Sequence, residues 1–195
     1  MDRESGWKLR ARLRRSEPRP YNDAYDRLAE KFNDPTGAKD ALGFLDFTIK
    51  RWLGRQTPWS TLEGKKVLEL ASGSVNSGYP PWFARLCSVF GANVVAIDVI
   101  SQDEVDQSMF TCVQADLIEV VLGNGLDSVP ELRNGKFDLI HASGFVGPNA
   151  AGEVIKELQR RGVTREEFEK KLKQQAKKLL ANRGYMDVTD ELSNG

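Results

Sequence analysis

The stretch KKVLELASGSVNSGYPPWFARLCSVFGANVVAIDV, residues 65–99, decides the fold. It begins with an apolar strand (Val67–Leu70), continues through a turn of small residues (Ala71–Gly78) into an amphipathic helix that opens on two prolines, and ends with a second apolar strand at Asp98. Two parallel strands joined by a helix form a right-handed crossover and place a ligand site at their carboxyl ends. The stretch therefore predicts an α/β fold with a parallel sheet.

The turn between this strand and helix has the composition of a ligand site. Ser72, Gly73 and Ser74 leave room for a ligand to approach the backbone. The N-terminus of the following helix offers unpaired N–H groups and the positive end of the helix dipole. Asp98, at the end of the second strand, can accept hydrogen bonds from both hydroxyls of a ribose. Together these features predict a ligand of the adenosine type.

Two common nucleotide motifs are absent from the turn. A P-loop requires a lysine after its second glycine, but Gly78 is followed by Tyr79, which argues against ATP and GTP. The dinucleotide fingerprint G-x-G-x-x-G fails because Ala71, Gly73 and Asn76 occupy its three glycine positions.

The turn instead resembles the first motif of class I S-adenosylmethionine-dependent methyltransferases. Glu69 supplies the acidic residue that ends the first strand, and Leu70–Val75 stands where the family has x-Gly-x-Gly-x-Gly, with only the middle glycine, Gly73, retained. Three later segments resemble the family in the same order: Asp116 after the third strand, Phe137–Gly144 as the fourth strand with its small-residue end, and Leu179–Tyr185 ahead of the fifth strand. The resemblance extends from Val67 to about Asp190.

The resemblance implies S-adenosyl-L-methionine as the cofactor. Gly73 and its neighbours would contact the methionine part, Asp98 the ribose and Asp116 the adenine amino group. The cofactor-binding residues implied in this way are Glu69, Ala71, Ser72, Gly73, Ser74, Asp98, Val99, Ala115, Asp116, Leu117 and His141. Asp116 is equally suited to cap the helix that follows it, and the two roles are compatible.

His141, the only histidine in the chain, ends the fourth strand next to the expected methyl donor. A neutral imidazole there would act as a catalytic base that removes a proton from a hydroxyl or amine nucleophile. The alternative is a hydrogen-bonded wall of the pocket. The segment lacks the Asn/Asp-Pro-Pro-Tyr/Phe signature of enzymes that methylate amino groups in DNA and glutamine, so these substrate classes are disfavoured.

The chain has 195 residues, which suits one globular α/β domain. We expect a basic, flexible arm over residues 1–20, a helical cap over 21–64 and a Rossmann-like methyltransferase domain over 65–195. The arm is either a solvated tail or a contact for RNA, acidic lipid or an acidic partner. Three aromatic residues ahead of the first strand are candidates for stacking on a substrate or for core packing: Tyr21, Tyr25 and Trp59.

The expected fold is a three-layer, mostly parallel Rossmann-like sheet with helices on both faces and an N-terminal helical cap. The pattern Thr164-x-x-Glu167 is a capping box, and it opens a helix predicted to run to Asn182, with the fifth strand over Tyr185–Val188. Family members continue with a helix and two further strands, so we expect a sheet shortened at its C-terminal edge, a fragment of a longer protein, or one half of a complex whose partner supplies that edge. An open edge strand exposes unpaired backbone groups, which predicts a homodimer or a partner protein.

Composition limits the kinds of partner, site and location that the sequence allows. The formal net charge is zero, which argues against a nucleic-acid partner that needs a broad basic surface. Cys87 and Cys112 are few and unpatterned, which predicts a reducing, cytoplasmic location without a disulfide or a metal site. No apolar run approaches the ~20 residues of a membrane span.

The sequence thus predicts a methyltransferase that acts on a small-molecule acceptor. Three alternatives stay open: a non-catalytic relative that acts through a partner, a nicotinamide-dependent oxidoreductase, and an RNA-modifying methyltransferase that uses the basic arm.

Overall fold

The structure is a computed structural model that describes residues 19–39, 41–42, 59–133, 135–142 and 152–188. The chain divides into two compact units, residues 1–59 and 60–195. Most of the predicted basic arm, the side chains of Tyr21 and Trp59, and the segment 143–151 lie outside the described residues.

The first unit contains α1 (Arg19–Phe32), which buries Ala24 and Leu28. The sequence predicts a helix break over residues 33–37, but only Asn33 and Asp34 leave the helical conformation, and helical turns resume at residue 35. The break is shorter than predicted because the Asp34 carboxylate accepts the backbone N–H of Gly37 at 2.8 Å, so that it caps the new helix. A proline directly after a cap suits the first helical position.

The second unit is built on five parallel strands in the order β3-β2-β1-β4-β5. The strands are β1 (Lys66–Leu70), β2 (Asn93–Asp98), β3 (Thr111–Gln114), β4 (Phe137–Ala142) and β5 (Leu180–Asp187). The prediction of an α/β, Rossmann-like parallel sheet is confirmed. Because the strand order reverses direction between β1 and β4, the carboxyl edge of β1 lies at the position where such sheets bind ligands.

Helices lie on both faces of this sheet. They are α2 (Trp82–Val89), α3 (Glu104–Met109), α4 (Leu117–Leu122), α5 (Gly152–Arg160) and α6 (Arg165–Leu179). Successive side chains of a strand point to opposite faces. In β1, Leu68 and Leu70 join the core beneath α4 and α6, whereas Glu69 points to the other face and bonds to α2.

The packing of α2 follows the predicted stripe. Phe83, Leu86, Cys87 and Phe90 are buried, and Gly91 ends the helix with φ 81°. The N–H groups of Gly91 and Ala92 bond to the carbonyls of Ser88 and Cys87, which satisfies two C-terminal carbonyls of the helix.

The junction between α6 and β5 differs from the prediction. The capping box of Thr164 and Glu167 is confirmed, but α6 ends at Leu179 rather than Asn182, and β5 begins at Leu180 rather than Tyr185. Leu180 is already extended, with ψ 138°. Arg183 adopts φ 66°, and the pairing of β4 with β5 is irregular between Phe137 and Leu139. The residues predicted as helix and turn are therefore the first, irregular half of the strand.

Candidate functional site

Backbone hydrogen bonds tie the carboxyl ends of β1, β2 and β3 together. The N–H of Ser72 donates to the carbonyl of Ile97 at 3.0 Å, and the N–H of Ala115 donates to the carbonyl of Asp98 at 2.9 Å. The N–H of Gly73 donates to Oδ2 of Asp98 at 2.9 Å. The structure therefore brings Ser72, Gly73, Asp98 and Ala115 to one edge of the sheet, where the sequence places the ligand.

The turn after β1 folds back on itself. Gly73 has φ 80°, and a Cβ atom at this position would collide with the backbone carbonyl of Tyr79. Ser74 and Tyr79 form an isolated antiparallel bridge that holds the turn closed. Ala71 also adopts a positive φ, 55°, without being glycine. The middle glycine of the resemblance is therefore required by close packing inside the turn itself.

Polar side chains bind the turn to the loop after β2. Ser74 Oγ and Asn76 Nδ2 both donate to the carbonyl of Ser101, at 2.8 Å and 3.0 Å. Gln102 Nε2 donates to Ser72 Oγ at 3.2 Å and to the carbonyl of Gly73. Asn76, Ser101 and Gln102 were missed by sequence reasoning, because no periodicity or motif marks a side chain that bonds to a distant carbonyl.

Asp98 retains hydrogen-bonding capacity for a ligand. Its two oxygens each accept one backbone N–H, Oδ2 from Gly73 and Oδ1 from Ile100 at 3.0 Å. A carboxylate has about four lone-pair sites, so about two remain for the hydroxyls of a ribose. Val99, the next residue, is 59% exposed and offers an apolar surface for a base. These groups fit an adenosyl ligand.

The same arrangement does not suit a phosphate. A phosphate bound at a glycine turn needs its N–H groups, yet that of Gly73 already donates to the Asp98 carboxylate. A second negative charge placed beside this carboxylate would be repelled.

Asp116 caps α4, as the sequence predicts. Its Oδ1 accepts the N–H groups of Ile118 and Glu119 at 2.8 Å and 3.1 Å. Its Oδ2 lies 3.7 Å from a guanidinium nitrogen of Arg161, and the side chain is 37% exposed. The adenine contact stays a prediction. Leu117, also predicted at the cofactor, is buried in the core.

Glu69 and His141 lie together beneath α2. Oε1 of Glu69 is 3.8 Å from Nδ1 of His141, and Oε2 accepts the N–H of Ala84 at 2.9 Å, so Glu69 satisfies a free donor in the first turn of α2. The His141 ring stacks on Phe83 with centroids 4.0 Å apart. Burial raises the pKa of Glu69. With His141 only 2% exposed, its imidazole is closed to solvent in this conformation.

The two thiols are not activated. Burial raises the pKa of Cys87 well above its usual value, and it raises that of Cys112 to about 11. Both side chains are therefore neutral thiols near neutral pH. In the part of the chain that the structure describes, no group of three acidic, histidine or cysteine residues could hold a metal ion, and no helix is long and apolar enough to cross a membrane.

Comparison with known proteins gives structural likenesses alone. No family model matches the chain, and no curated protein matches it. Among solved structures, a methyltransferase homolog from Pyrococcus horikoshii is 17% identical with a TM-score of 0.36, over 66% of this chain and 41% of that one. MycE methyltransferase of the mycinamycin biosynthetic pathway, in complex with Mg, SAH and mycinamycin VI, is 14% identical with a TM-score of 0.38, over 74% of this chain and 36% of that one.

A further protein from Pyrococcus horikoshii OT3 is 16% identical with a TM-score of 0.31, over 88% of this chain and 52% of that one. The chain thus spans less than two thirds of the length of each of these structures. Function is inferred below from this chain's own residues.

Proposed function

We propose that residues 60–195 bind S-adenosylmethionine and that the protein transfers its methyl group to a small-molecule acceptor. The observation that carries the proposal is the Asp98 carboxylate at the carboxyl end of β2. It is fixed by the N–H of Gly73 at 2.9 Å, keeps lone pairs for ribose hydroxyls and adjoins the exposed Val99. The nearest large side chains of the turn are not buried against it, because Val75 is 40% and Tyr79 76% exposed.

The electrostatics favour a ligand without phosphate. In S-adenosylmethionine the ribose carries a sulfonium in place of a phosphate, so the ligand brings a positive charge toward Asp98. Opposite charges within a few ångströms at a partly exposed site attract by an amount on the order of 1 kcal/mol. ATP and NAD bring negative charge to the same place.

When bound, S-adenosylmethionine supplies an electrophilic methyl carbon, to which an acceptor lone pair bonds as the carbon–sulfur bond breaks and sulfur keeps the electron pair. The chain's part in this proposal is alignment of the acceptor with that carbon. Asp98 and the turn around Gly73 orient the adenosyl group. His141 acts as a wall behind the turn, held by Phe83 and Glu69, unless α2 moves and opens it to the acceptor as a base.

The test is calorimetry of the purified protein with S-adenosylhomocysteine, S-adenosylmethionine and NAD, after mass spectrometry for co-purified ligand. We expect both adenosyl compounds to bind and NAD to bind more weakly. NAD binding tighter than S-adenosylhomocysteine would support an oxidoreductase, and no binding of any of the three would refute the proposal.

One observation favours a second candidate, a non-catalytic protein with the same ligand. The imidazole of His141 and the carboxyl of Glu69 are both buried, and the second oxygen of Glu69 is engaged by Ala84. A non-catalytic protein would bind S-adenosylhomocysteine yet transfer no label from methyl-labelled S-adenosylmethionine to a pool of small metabolites, whereas the methyltransferase labels at least one of them.

A further inference from the structure

The exposed apolar side chains of the described residues are concentrated at one place. Every large apolar side chain that is exposed among the described residues belongs to residues 75–105. They are Val75 (40%), Tyr79 (76%), Val99 (59%), Ile100 (37%) and Val105 (45%). Val99 is the surface assigned above to the base of the adenosyl group, and the other four residues are called the apolar rim. Scattered exposed apolar residues are ordinary, but a cluster of them beside a ligand site marks a binding surface.

Hydrogen bonds join the two loops that carry the rim. Val75 lies between Ser74 and Asn76, and both of these residues donate to the carbonyl of Ser101. Ser101 directly follows Ile100, whose N–H is held by Asp98. The turn after β1 and the loop after β2 therefore bring the backbones of Val75 and Ile100 close together, next to the carboxylate that orients the adenosyl group.

The charges around the rim are of one sign. Between residues 71 and 110 the only cationic side chain is Arg85, which is 4% exposed and bonded through two nitrogens to Asp106 at 2.8 Å. Asp98 and Glu104 carry the negative charge at the surface, together with Asp103, which lies 3.8 Å from Arg85. From residues 71–110, an anion at the rim meets repulsion with no compensating cation at the surface, and a cation meets attraction.

The negative charge around the rim decides which kind of molecule can bind there. Nucleic acid and anionic lipid both need cationic side chains, which the rim lacks. A second copy would set two acidic surfaces against each other, and four side chains are far fewer than the ~20–30 residues that each partner of a stable protein interface contributes. A small organic cation with an apolar body matches both the side chains and the charge.

We propose that the apolar rim binds the methyl acceptor, and that this acceptor is an apolar alkyl amine. Its ammonium form is attracted by the acidic surface, the nitrogen releases its proton to solvent, and the freed lone pair bonds to the methyl carbon as the carbon–sulfur bond breaks. The proposal rests on the proposed function, because it is the adjoining adenosyl site that makes the occupant an acceptor. The aromatic ring of Tyr79 adds a face on which a cation can lie.

Two fluorescent probes of equal body and opposite charge test it: dansylcadaverine, which ends in an ammonium, and dansyl-6-aminohexanoate, which ends in a carboxylate. We expect the full-length protein to bind the ammonium probe about tenfold more tightly at low salt, and the difference to shrink as salt is added. Equal affinities, or tighter binding of the carboxylate probe, would overturn the proposal.

Variants locate the probe. Tyr79→Ser and Val75→Ser remove exposed apolar surface and should weaken dansylcadaverine severalfold, while thermal melting confirms that they fold. Glu104→Gln should reduce the preference for the ammonium probe about twofold to threefold. Its matched control is Glu166→Gln, which also removes an exposed carboxylate from the first turn of a helix, α6, and should leave the preference unchanged. Unchanged affinity in both serine variants would show that the probe binds elsewhere and refute the rim as the site.

Each probe titration is repeated in the presence of excess S-adenosylhomocysteine. If that compound binds and the ammonium probe has no preference, the inference about the acceptor fails and the proposed function stands. If the probe prefers the rim but no adenosyl compound binds, the rim is a cation site and the methyl transfer proposal fails.

Discussion

Glu69 on β1 stands directly opposite His141 on β4, with the carboxylate oxygen 3.8 Å from the imidazole nitrogen and both side chains buried. The other oxygen of Glu69 holds the first turn of α2 through Ala84. An acidic residue that the sequence assigns to the cofactor thus connects the central strands to the helix that follows the turn.

Stability should fall with rising pH because of Glu69. Burial raises its folded pKa above the usual 4.5, so its contribution is complete below about 4.5 and is lost as the pH rises through the higher folded value. Glu69→Gln keeps an acceptor for Ala84 and should flatten this slope in urea unfolding followed across pH. Glu157 serves as the control because its pKa is shifted in the opposite direction. Arg160 and Arg161 lower the pKa of Glu157 to about 2, so its contribution to stability is lost only as the pH falls. Glu157→Gln should therefore change stability at acid pH and leave the slope at higher pH unaltered. Equal slopes for wild type and Glu69→Gln would contradict this account.

Gly73→Ala should destabilise the protein more than Gly78→Ala. Both glycines have φ near 80°, so alanine at either position carries the left-handed strain of about 1–2 kcal/mol. Only at Gly73 does the new methyl group also meet the Tyr79 carbonyl, since nothing lies within 4 Å at Gly78. The free energies of unfolding of the two variants measure the difference, and equal losses would mean that the turn relaxes without cost.

Asp98→Asn should weaken S-adenosylhomocysteine binding in calorimetry by about 1.5–3 kcal/mol, the range for hydrogen bonds to a charged group. The asparagine keeps the size of the side chain and one oxygen acceptor. Asp127→Asn removes an exposed carboxylate from the helical turn Leu126–Ser128 and serves as the control. An unchanged affinity in Asp98→Asn would remove Asp98 from the ligand site.

Breaking the buried pair of Arg85 and Asp106 should cost about 3–5 kcal/mol of stability, because one charge is left buried without its partner. We expect this loss for Arg85→Met in urea unfolding. The double variant Arg85→Met, Asp106→Leu should recover part of it, since both charges are then absent. A double variant no more stable than the single one would show that the pair is also needed for packing.

Substitutions can separate the two roles of Asp116, which are the cap of α4 and the predicted contact with adenine. Asp116→Ala removes the cap of α4 and should cost about 1 kcal/mol of stability, whereas Asp116→Asn retains a capping oxygen and should cost little. Thr164→Ala removes the cap of α6 and serves as the control of similar cost. If Asp116 also contacts adenine, both of its variants will lose affinity for S-adenosylhomocysteine, because the asparagine that caps α4 through its oxygen offers adenine an NH2 donor in place of an acceptor, whereas Thr164→Ala will keep its affinity.

The sheet could be predicted because its signals are local. The apolar runs of β1, β2 and β4 alternate with helical stripes and capping residues, and this order alone indicates a parallel sheet. The boundary at Leu179 and Leu180 could not be predicted, because paired leucines suit a helix end and a strand start equally. It depends on the pairing of β5 with β4 and on the positive φ of Arg183.

Less of the site could be predicted. Gly73, Asp98 and Asp116 follow from their places at strand ends, but the bonds from Gln102 and Asn76 join residues some 25–30 positions apart in the chain. Arg85 occupies an ordinary position in the pattern of an amphipathic helix, and its burial depends on acidic partners on another segment, Asp106 above all. Long-range pairing of polar groups leaves no periodic trace in a sequence.

The bond between Gly73 and Asp98 also sets how this corner of the molecule fluctuates. The amide proton of Gly73 faces a carboxylate of the neighbouring strand, while Ser74, Asn76 and Gln102 hold the two loops across the same gap. Exchange of that proton with deuterium therefore requires both loops to separate in one cooperative opening. The exchange rate of the Gly73 amide thus reports how often the two loops separate.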